Sequence, residues 1–263
     1  MIRQTLRNNG RVLMLQLASH KNRNALSLEM IRELQGILES NKNPPAPTPS
    51  QPPPRVIVLD HEGPAFSSGH DLKELLSNDA EQNEALFSEC SNLMQSVVAS
   101  PTPIIAKVNG VATAAGCQLV ASCDLAYATA NSKFATPGVN IGFFCSTPAV
   151  AVSRSVPAKK HVMEMLLTGK PISAKRAYEI GLINAVARDE SELSEMVDEL
   201  ADIISKKSSK AIQAYGKPTF AKQAQMPLQD AYDVASQTMC DNLKEDDCLK
   251  GIRGFLDKKP IKW

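Results

Sequence analysis

The chain has 263 residues, 43% of them hydrophobic, which is enough for one large core or for a main domain with a smaller appendage. Its formal net charge of +1 excludes an overall electrostatic field that would recruit nucleic acid. The six cysteines form no CxxC pair and the four histidines do not cluster with cysteines, so we expect neither a disulfide framework nor a zinc or other metal site. Since no apolar run approaches about 18 residues, we expect no membrane span.

The N-terminal segment allows two interpretations. Residues 1–28 contain five basic residues and no acidic residue, a bias typical of mitochondrial presequences. The run Arg11–Leu17 instead predicts the first strand. Ser27 is then predicted to begin a helix, because its hydroxyl can accept a hydrogen bond from the first helical turn and the apolar residues from Met30 to Leu38 recur at helical spacing.

A proline-rich segment, residues 43–55, follows this helix. It contains seven prolines between Pro44 and Pro54, which exclude a helix or a central strand and favour polyproline II. One interpretation is a ligand for an SH3- or WW-type groove. The interpretation that we favour is a solvated loop insertion, which joins a helix to the next strand.

The rest of the chain alternates strands with helical stretches in its first part and is mostly helical after residue 158. This alternation predicts an α/β fold with crossover connections rather than hairpins. The predicted strands cover residues 55–60, 104–108, 124–130, 134–135 and 183–186. The predicted helices cover residues 73–76, 81–99, 117–123, 162–167, 174–180, 190–205, 228–243 and 248–258.

Two stretches combine small residues with a passage from strand to helix. They are Pro64–Glu74, with the sequence PAFSSGHDLKE, and Val108–Leu119, with the sequence VNGVATAAGCQL. Small side chains let a ligand approach the main chain, and the first N–H groups of a helix have no partner within it. Two such amides converging from separate loops would stabilise negative charge on a carbonyl oxygen. Either stretch alone would equally suit close packing of a helix on a sheet.

Together, and in this order, the two stretches resemble those of the enoyl-CoA hydratase/isomerase, or crotonase, superfamily. The resemblance also includes Arg23–Ser27 (RNALS), Phe134–Gly138 (FATPG) and Leu166–Gly169 (LLTG), and it covers nearly the whole chain apart from the proline-rich segment. It implies a spiral of ββα units over residues 1–200, a helical C-terminal trimerisation region over residues 201–263, and a homotrimer or hexamer. It also implies a mitochondrial location, with the cytoplasm as the alternative.

The same resemblance implies a binding site for an acyl-CoA small molecule, with coenzyme A as part of the ligand and no separate cofactor. The backbone N–H groups of His70 and Ala115 would form an oxyanion hole. Further residues are expected to contact coenzyme A or the acyl group, and these are Ala25, Leu26, Ser68, Asp71, Phe143, Phe144, Phe255, Lys258 and Lys259. Core packing accounts equally well for the two phenylalanines at 143 and 144, and a solvated charged surface for the lysines.

The chain departs from the hydratase pattern at both catalytic carboxylates. Gln118 and Gly138 occupy the two positions at which hydratases have glutamate, and neither side chain can exchange a proton at neutral pH. Since a lost general acid or base typically costs about 10²–10⁴-fold in rate, we expect little hydratase activity.

Three places in the sequence offer a replacement acid, base or nucleophile. His70 could titrate near neutrality or could fill a wall of the site. Asp71 could act on the substrate or could cap the following helix. Cys145 and Ser146 could act as nucleophiles, but no base lies beside them in sequence. The function is therefore predicted to be acyl-CoA binding in lipid metabolism, with a non-hydratase activity, a purely binding role or a structural role as alternatives.

Overall fold

The structure is a computed structural model that describes residues 1–42 and 53–263. The predicted polyproline segment lies largely outside the described residues. The strands are β1 (Ile2–Arg7), β2 (Val12–Leu17), β3 (Val56–His61), β4 (Ala65–Ser67), β5 (Ile104–Val108), β6 (Val111–Thr113), β7 (Leu125–Thr129), β8 (Lys133–Ala135), β9 (Ile172–Ser173) and β10 (Ala185–Ala187).

The helices are α1 (Leu28–Lys42), α2 (Leu72–Ser77), α3 (Ala80–Ala99), α4 (Ala115–Ser122), α5 (Ser146–Ser155), α6 (Lys159–Thr168), α7 (Ala174–Glu179), α8 (Glu190–Ser205), α9 (Lys217–Gln223), α10 (Leu228–Leu243) and α11 (Asp246–Leu256). A π-helical segment, Lys210–Gly216, leads into α9. Within residues 1–42 and 53–263, no helix combines the length and the apolar character needed to cross a bilayer.

The strands form two sheets that share a repeating connection. The first sheet has the order β1-β2-β3-β5-β7-β10 and is parallel from β2 onward, whereas the second has the order β4-β6-β8-β9. Each of β3, β5 and β7 leaves the first sheet, continues into a short strand of the second sheet, and then reaches a helix. These repeated ββα units confirm the predicted α/β class and its crossover connections.

The N-terminal prediction was wrong in one respect. Arg11–Leu17 does contain a strand, β2, but β1 precedes it and pairs with it as an antiparallel hairpin. Asn8, Asn9 and Gly10 all have positive φ in the connecting turn, which suits asparagine and glycine. The sequence prediction missed β1 because most of its side chains are exposed and show no apolar pattern.

The core lies between the first sheet and the helices α1, α3 and α4. The helix predicted from Ser27 is confirmed as α1, and the Ser27 hydroxyl accepts a hydrogen bond from the Met30 N–H at 3.3 Å. Its apolar face is buried against α3. On the opposite face of the sheet, α8 covers a smaller core cluster. The predicted boundary between residues 200 and 201 falls within α8, and the division into two regions stays a prediction.

The C-terminal helices are held to the sheet core by partly buried polar contacts. The Lys217 ammonium donates to the Asp124 carboxylate at 2.7 Å and to the carbonyl oxygens of Val97 and Thr102. The Gln213 amide donates to the Pro54 carbonyl oxygen at 3.0 Å. In contrast, α10 and α11 bury none of their residues within one chain. Several of their large apolar side chains, including Met239 and Phe255, are exposed in the monomer.

Candidate active site

The candidate site lies at the carboxyl edge of the second sheet. The strands β4, β6 and β8 are neighbours and run parallel, so the loops that follow them emerge side by side. These loops carry His70, Ala115 and Gly138, which are up to 68 residues apart in sequence. All three residues line one cavity of about 470 Å³.

The first two loops are held in direct contact. The Thr113 hydroxyl donates to the Ser68 carbonyl oxygen at 3.1 Å. A Cβ atom built on Gly69 would lie 3.2 Å from the Ala115 backbone nitrogen, and one built on Gly116 would lie 2.4 Å from the Ser67 carbonyl oxygen. Glycine at both positions is therefore what lets helix α4 begin against the loop.

The backbone amides of His70 and Ala115 are available to a ligand. Within the described parts of the chain, neither N–H donates a hydrogen bond to another group. Ala115 is the first residue of α4, so its N–H has no acceptor in the helix. Ala114, which precedes it, has φ 50° and ψ −120°, an unusual conformation for a residue with a Cβ atom. Strain of this kind is concentrated at functional sites, and here it sets the direction of the Ala115 N–H.

The side chain of His70 forms part of the wall of the site. Its Nδ1 lies 3.1 Å from the Leu26 carbonyl oxygen, which requires the proton on Nδ1, and its ring packs edge-on against Phe87 at 5.4 Å. Burial lowers the pKa of His70 below its usual value, so the ring is neutral near pH 7. Its Nε2 is buried and has no partner within the described residues. The interpretation of His70 as a wall residue agrees with this geometry better than a role as acid or base.

Gly138 lies in a tightly closed turn. Its N–H donates to the Cys145 Sγ at 3.3 Å, and its carbonyl oxygen accepts from the Phe143 N–H at 2.9 Å. A Cβ atom on Gly138 would lie only 1.9 Å from the Phe143 carbonyl oxygen. The Phe143 carbonyl group and the Cys145 Sγ thus occupy the space in which any side chain at 138 would begin.

Gln118 lies one helical turn beyond Ala115 and does not line the same cavity. It lines an adjacent cavity of about 650 Å³. The residue is 3% exposed, and its buried Oε1 has no hydrogen-bond partner within residues 1–42 and 53–263. The carboxamide is therefore available to a polar group of a ligand.

The proposed nucleophiles are poorly suited to that role. Burial raises the pKa of the Cys145 thiol, so the thiolate is disfavoured near neutrality. The Ser146 hydroxyl makes only a long contact of 3.4 Å with the Phe144 carbonyl oxygen, and no imidazole or carboxylate partner is present for it among the described hydrogen bonds.

The Asp71 carboxylate accepts from the Lys73 N–H at 2.9 Å, which confirms Asp71 as the N-cap of α2.

Of the other predicted contact residues, Ser68 lines the cavity, and the rest fall into three groups. Phe143 and Phe144 are 47% and 43% exposed and line the cavity, so the alternative of core packing was wrong for them. Ala25 and Leu26 are buried, and Leu26 binds the loop through its backbone, its N–H donating to the Gly69 carbonyl oxygen at 2.7 Å. The residues Phe255, Lys258 and Lys259 lie on the exposed C-terminal segment and do not line the cavity of their own chain.

Sequence reasoning missed several residues of the cavity. Phe87 packs against both His70 and Phe143, the latter at 5.9 Å between ring centroids, yet in the sequence it is only one apolar residue of a long helix. Helix α5 contributes Thr147 and Pro148 and was not predicted. In the described ranges, no group of three or more His, Cys, Asp or Glu side chains could hold a metal ion.

The chain is similar in sequence to proteins of one known family. The model of the family described as enoyl-CoA hydratase/isomerase matches residues 7–263. The mitochondrial enoyl-CoA hydratase domain-containing protein 3 of Rattus norvegicus is 46% identical over 252 residues, covering 94% of this chain and 79% of that protein. Its Homo sapiens counterpart, also named mitochondrial, is 46% identical over 250 residues, covering 94% and 78%.

Solved structures of similar proteins superpose over nearly the full chain. The crystal structure of human enoyl coenzyme A hydratase domain-containing protein 3 matches with a TM-score of 0.89 and 45% identity, covering 99% of both chains. That of an enoyl-CoA hydratase from Mycobacterium smegmatis matches with a TM-score of 0.92 and 38% identity, covering 100% of this chain and 98% of the other.

Proposed function

Because the chain belongs to the enoyl-CoA hydratase/isomerase family, we propose that its cavity binds an acyl-CoA thioester and polarises the thioester carbonyl. The observation that carries this proposal is the pair of unpartnered amides of His70 and Ala115 at one cavity, on loops that contact each other. Both N–H groups would donate to the carbonyl oxygen. The low polarity of the surrounding wall strengthens such hydrogen bonds, and the negative charge of an enolate or a tetrahedral intermediate would be stabilised there.

The same site is poorly equipped for hydrating a double bond. In the hydratase pattern, one carboxylate activates water and the other exchanges a proton with the neighbouring carbon. Here Gln118 offers a carboxamide, and the position of Gly138 is closed by the Phe143 carbonyl oxygen. The protein therefore binds acyl-CoA but hydrates enoyl-CoA weakly or not at all. Any turnover would require a reaction for which polarisation of the thioester carbonyl is sufficient. The His70 imidazole would not act as an acid or base in it, because the ring is neutral and its Nε2 is buried.

Contacts with the coenzyme A part of the ligand extend this proposal. Ser68 and Asp71 lie on the first loop, Ala25 and Leu26 lie on the segment bonded to it, and these two segments would border the adenine end. Phe255, Lys258 and Lys259 would reach the phosphates from a neighbouring subunit, since they do not line the cavity of their own chain.

The exposed apolar side chains of α10 and α11, including Met239 at 76%, would be covered in a homotrimer or hexamer. Sedimentation measures this assembly.

The two Homo sapiens and Rattus norvegicus relatives are named mitochondrial, and we place this protein in the same compartment, in the metabolism of lipid-derived thioesters. Imaging of the full-length protein with a C-terminal fluorescent fusion tests the location. Cytoplasmic fluorescence would contradict it.

Binding is tested by calorimetry of the purified protein with acetyl-, butyryl- and long-chain acyl-CoA and with free coenzyme A. The donor at 115 can be removed by proline, because the first position of a helix tolerates it. The variant Ala114→Gly/Ala115→Pro should bind acyl-CoA at least about tenfold more weakly than Ala114→Gly alone, which keeps both donors. Equal affinities would exclude the Ala115 N–H as a donor. No binding of any coenzyme A ester would overturn the proposal and favour a purely structural role.

A further inference from the structure

The second cavity continues the first along the same helices. On α3, Phe87 lines the first cavity and Ser91 lines the second. On α4, Ala115 lines the first and Gln118 the second, while Thr147 at the start of α5 lines both. Because Thr147 lines both cavities and α3, α4 and α5 each contribute residues to both, the two cavities are adjacent, and together they are called the groove here.

The polarity of this groove changes along its length. The first cavity is lined mainly by apolar and small residues, and no charged side chain is among them. The middle of the second cavity has an apolar wall that includes Met94, Val98 and Val150. Its far end carries Arg154 and Lys222, on α5 and α9. A ligand lying in the groove would therefore pass from an uncharged region to a basic one.

The two cations at the far end lack counter-charges. Within the described residues, neither Arg154 nor Lys222 forms a salt bridge with a carboxylate. Arg154 donates one hydrogen bond, from Nη1 to the Val150 carbonyl oxygen on its own helix. Its remaining N–H groups are free for an anion, and a guanidinium fits a carboxylate with two parallel hydrogen bonds.

The wall of the second cavity contains an unpartnered polar group. Gln118 is almost fully buried, and its Oε1 has no partner in the described chain. A buried polar atom without a hydrogen bond is unfavourable, because it has lost its hydrogen bonds to water. A saturated chain brings no donor to this Oε1, so the two cations at the far end are what distinguish one ligand from another.

The spacing of these residues sets the length of the ligand. Ser146 lines the first cavity, and Arg154 lies eight residues further along α5, roughly 12 Å at a rise of about 1.5 Å per residue. An extended chain advances roughly 1.2 Å per bond, so about ten bonds span that distance. We propose, on the basis of the function proposed above, that the preferred acyl group is a chain of about eight to twelve carbons with a carboxylate at its far end.

Calorimetry with matched thioesters tests the proposal. The probes are acetyl-CoA, decanoyl-CoA and the coenzyme A monothioester of decanedioic acid, so that the coenzyme A phosphates are common to all three. The dicarboxylic ester should bind at least about tenfold more tightly than decanoyl-CoA, and the ratio should decrease with added salt because the cations are exposed. The variant Arg154→Gln/Lys222→Gln should reduce the ratio to about one.

A matched control is Lys160→Gln/Lys170→Gln, which removes two exposed cations that line neither cavity, and which should keep the ratio. Equal or weaker binding of the dicarboxylic ester would overturn the inference, as would a ratio unchanged in Arg154→Gln/Lys222→Gln. If acetyl-CoA binds but the long esters show no preference, only this inference fails. If none of the three esters binds, the proposed function fails as well.

Discussion

Gly69 lies so close to Ala115 that a Cβ atom on Gly69 would be 3.2 Å from the Ala115 backbone nitrogen and 2.8 Å from the Cβ atom of Ala114. This contact joins two loops that are more than 40 residues apart and places the amides of His70 and Ala115 at one cavity. The spacing of the two proposed donors therefore depends on the absence of a side chain at position 69.

Substitution of Gly69 should separate the two donors. In Gly69→Ala, the positive φ of 89° costs about 1–3 kcal/mol, and the added methyl group pushes the loops apart. Affinity for acyl-CoA should fall at least about tenfold. Gly181→Ala is the matched control, because Gly181 has a similar φ of 84° but its Cβ would lie 3.5 Å from the nearest atom. Calorimetry on both variants measures the difference, and equal affinities would contradict the role given to Gly69.

Introducing a glutamate at position 138 should not produce hydratase activity. Any Cβ atom there meets the Phe143 carbonyl oxygen at 1.9 Å, so Gly138→Ala should lower the free energy of unfolding by more than about 2 kcal/mol. Gly138→Glu should be at least as unstable and should not gain crotonyl-CoA hydration. The control Gly36→Ala, at an open position in α1, should stabilise the protein by up to about 1 kcal/mol. Urea denaturation measures all three, and a stable, active Gly138→Glu would refute the closed turn.

The stability of the protein should decrease below about pH 6.5. The His61 Nε2 accepts a hydrogen bond from the Asn109 N–H at 2.9 Å, and burial lowers the pKa of His61. Below about pH 6.5, His61 therefore binds a proton more readily in the unfolded chain than in the folded chain. The contribution of the neutral imidazole to the free energy of unfolding is complete above the unfolded pKa, and it is lost as the pH falls towards the lower folded pKa. Burial lowers the pKa of His70 in the same sense.

Unfolding free energies measured between pH 7.5 and 5 test this dependence. His61→Gln removes one of the two buried imidazoles and should make the decrease shallower. His20→Gln removes an exposed imidazole and is the control. If His61→Gln and the wild-type protein show the same slope, the buried imidazole is not responsible.

Removing the ammonium of Lys217 should destabilise the attachment of the C-terminal helices. Its side chain is only 9% exposed and donates to Asp124 and to two backbone carbonyl oxygens. Lys217→Met removes the cation beside the Asp124 carboxylate, which keeps its hydrogen bond from the Ile104 N–H, and should cost about 1–3 kcal/mol. Lys244→Met, which breaks an exposed pair with Asp241, should cause a clearly smaller loss of stability. Thermal unfolding and hydrogen exchange in α9 report the difference. Similar losses in the two variants would show that the buried contacts do not hold the helix.

Long elements with clear patterns were predictable from the sequence. The bounds predicted for β5, α8 and α10 agree with the structure, because an apolar strand between turn residues and a long amphipathic helix are local signals. The strands of the second sheet have only two or three residues, too few to show a period of two, and this sheet was not predicted as such. Helix α5 was also missed, since it begins directly after a turn and contains Pro148 near its start.

By itself, the sequence determined which chemical groups are present: two glycine- and alanine-rich passages from strand to helix, a glutamine at 118 and a glycine at 138. These are properties of residue type and local order. Only the tertiary structure decided that the amides of His70 and Ala115 line one cavity, that the main chain closes over Gly138, and that Gln118 faces a second space continuing towards Arg154. Such relations depend on how parallel strands and helices distant in sequence pack together, which no local pattern of residues encodes.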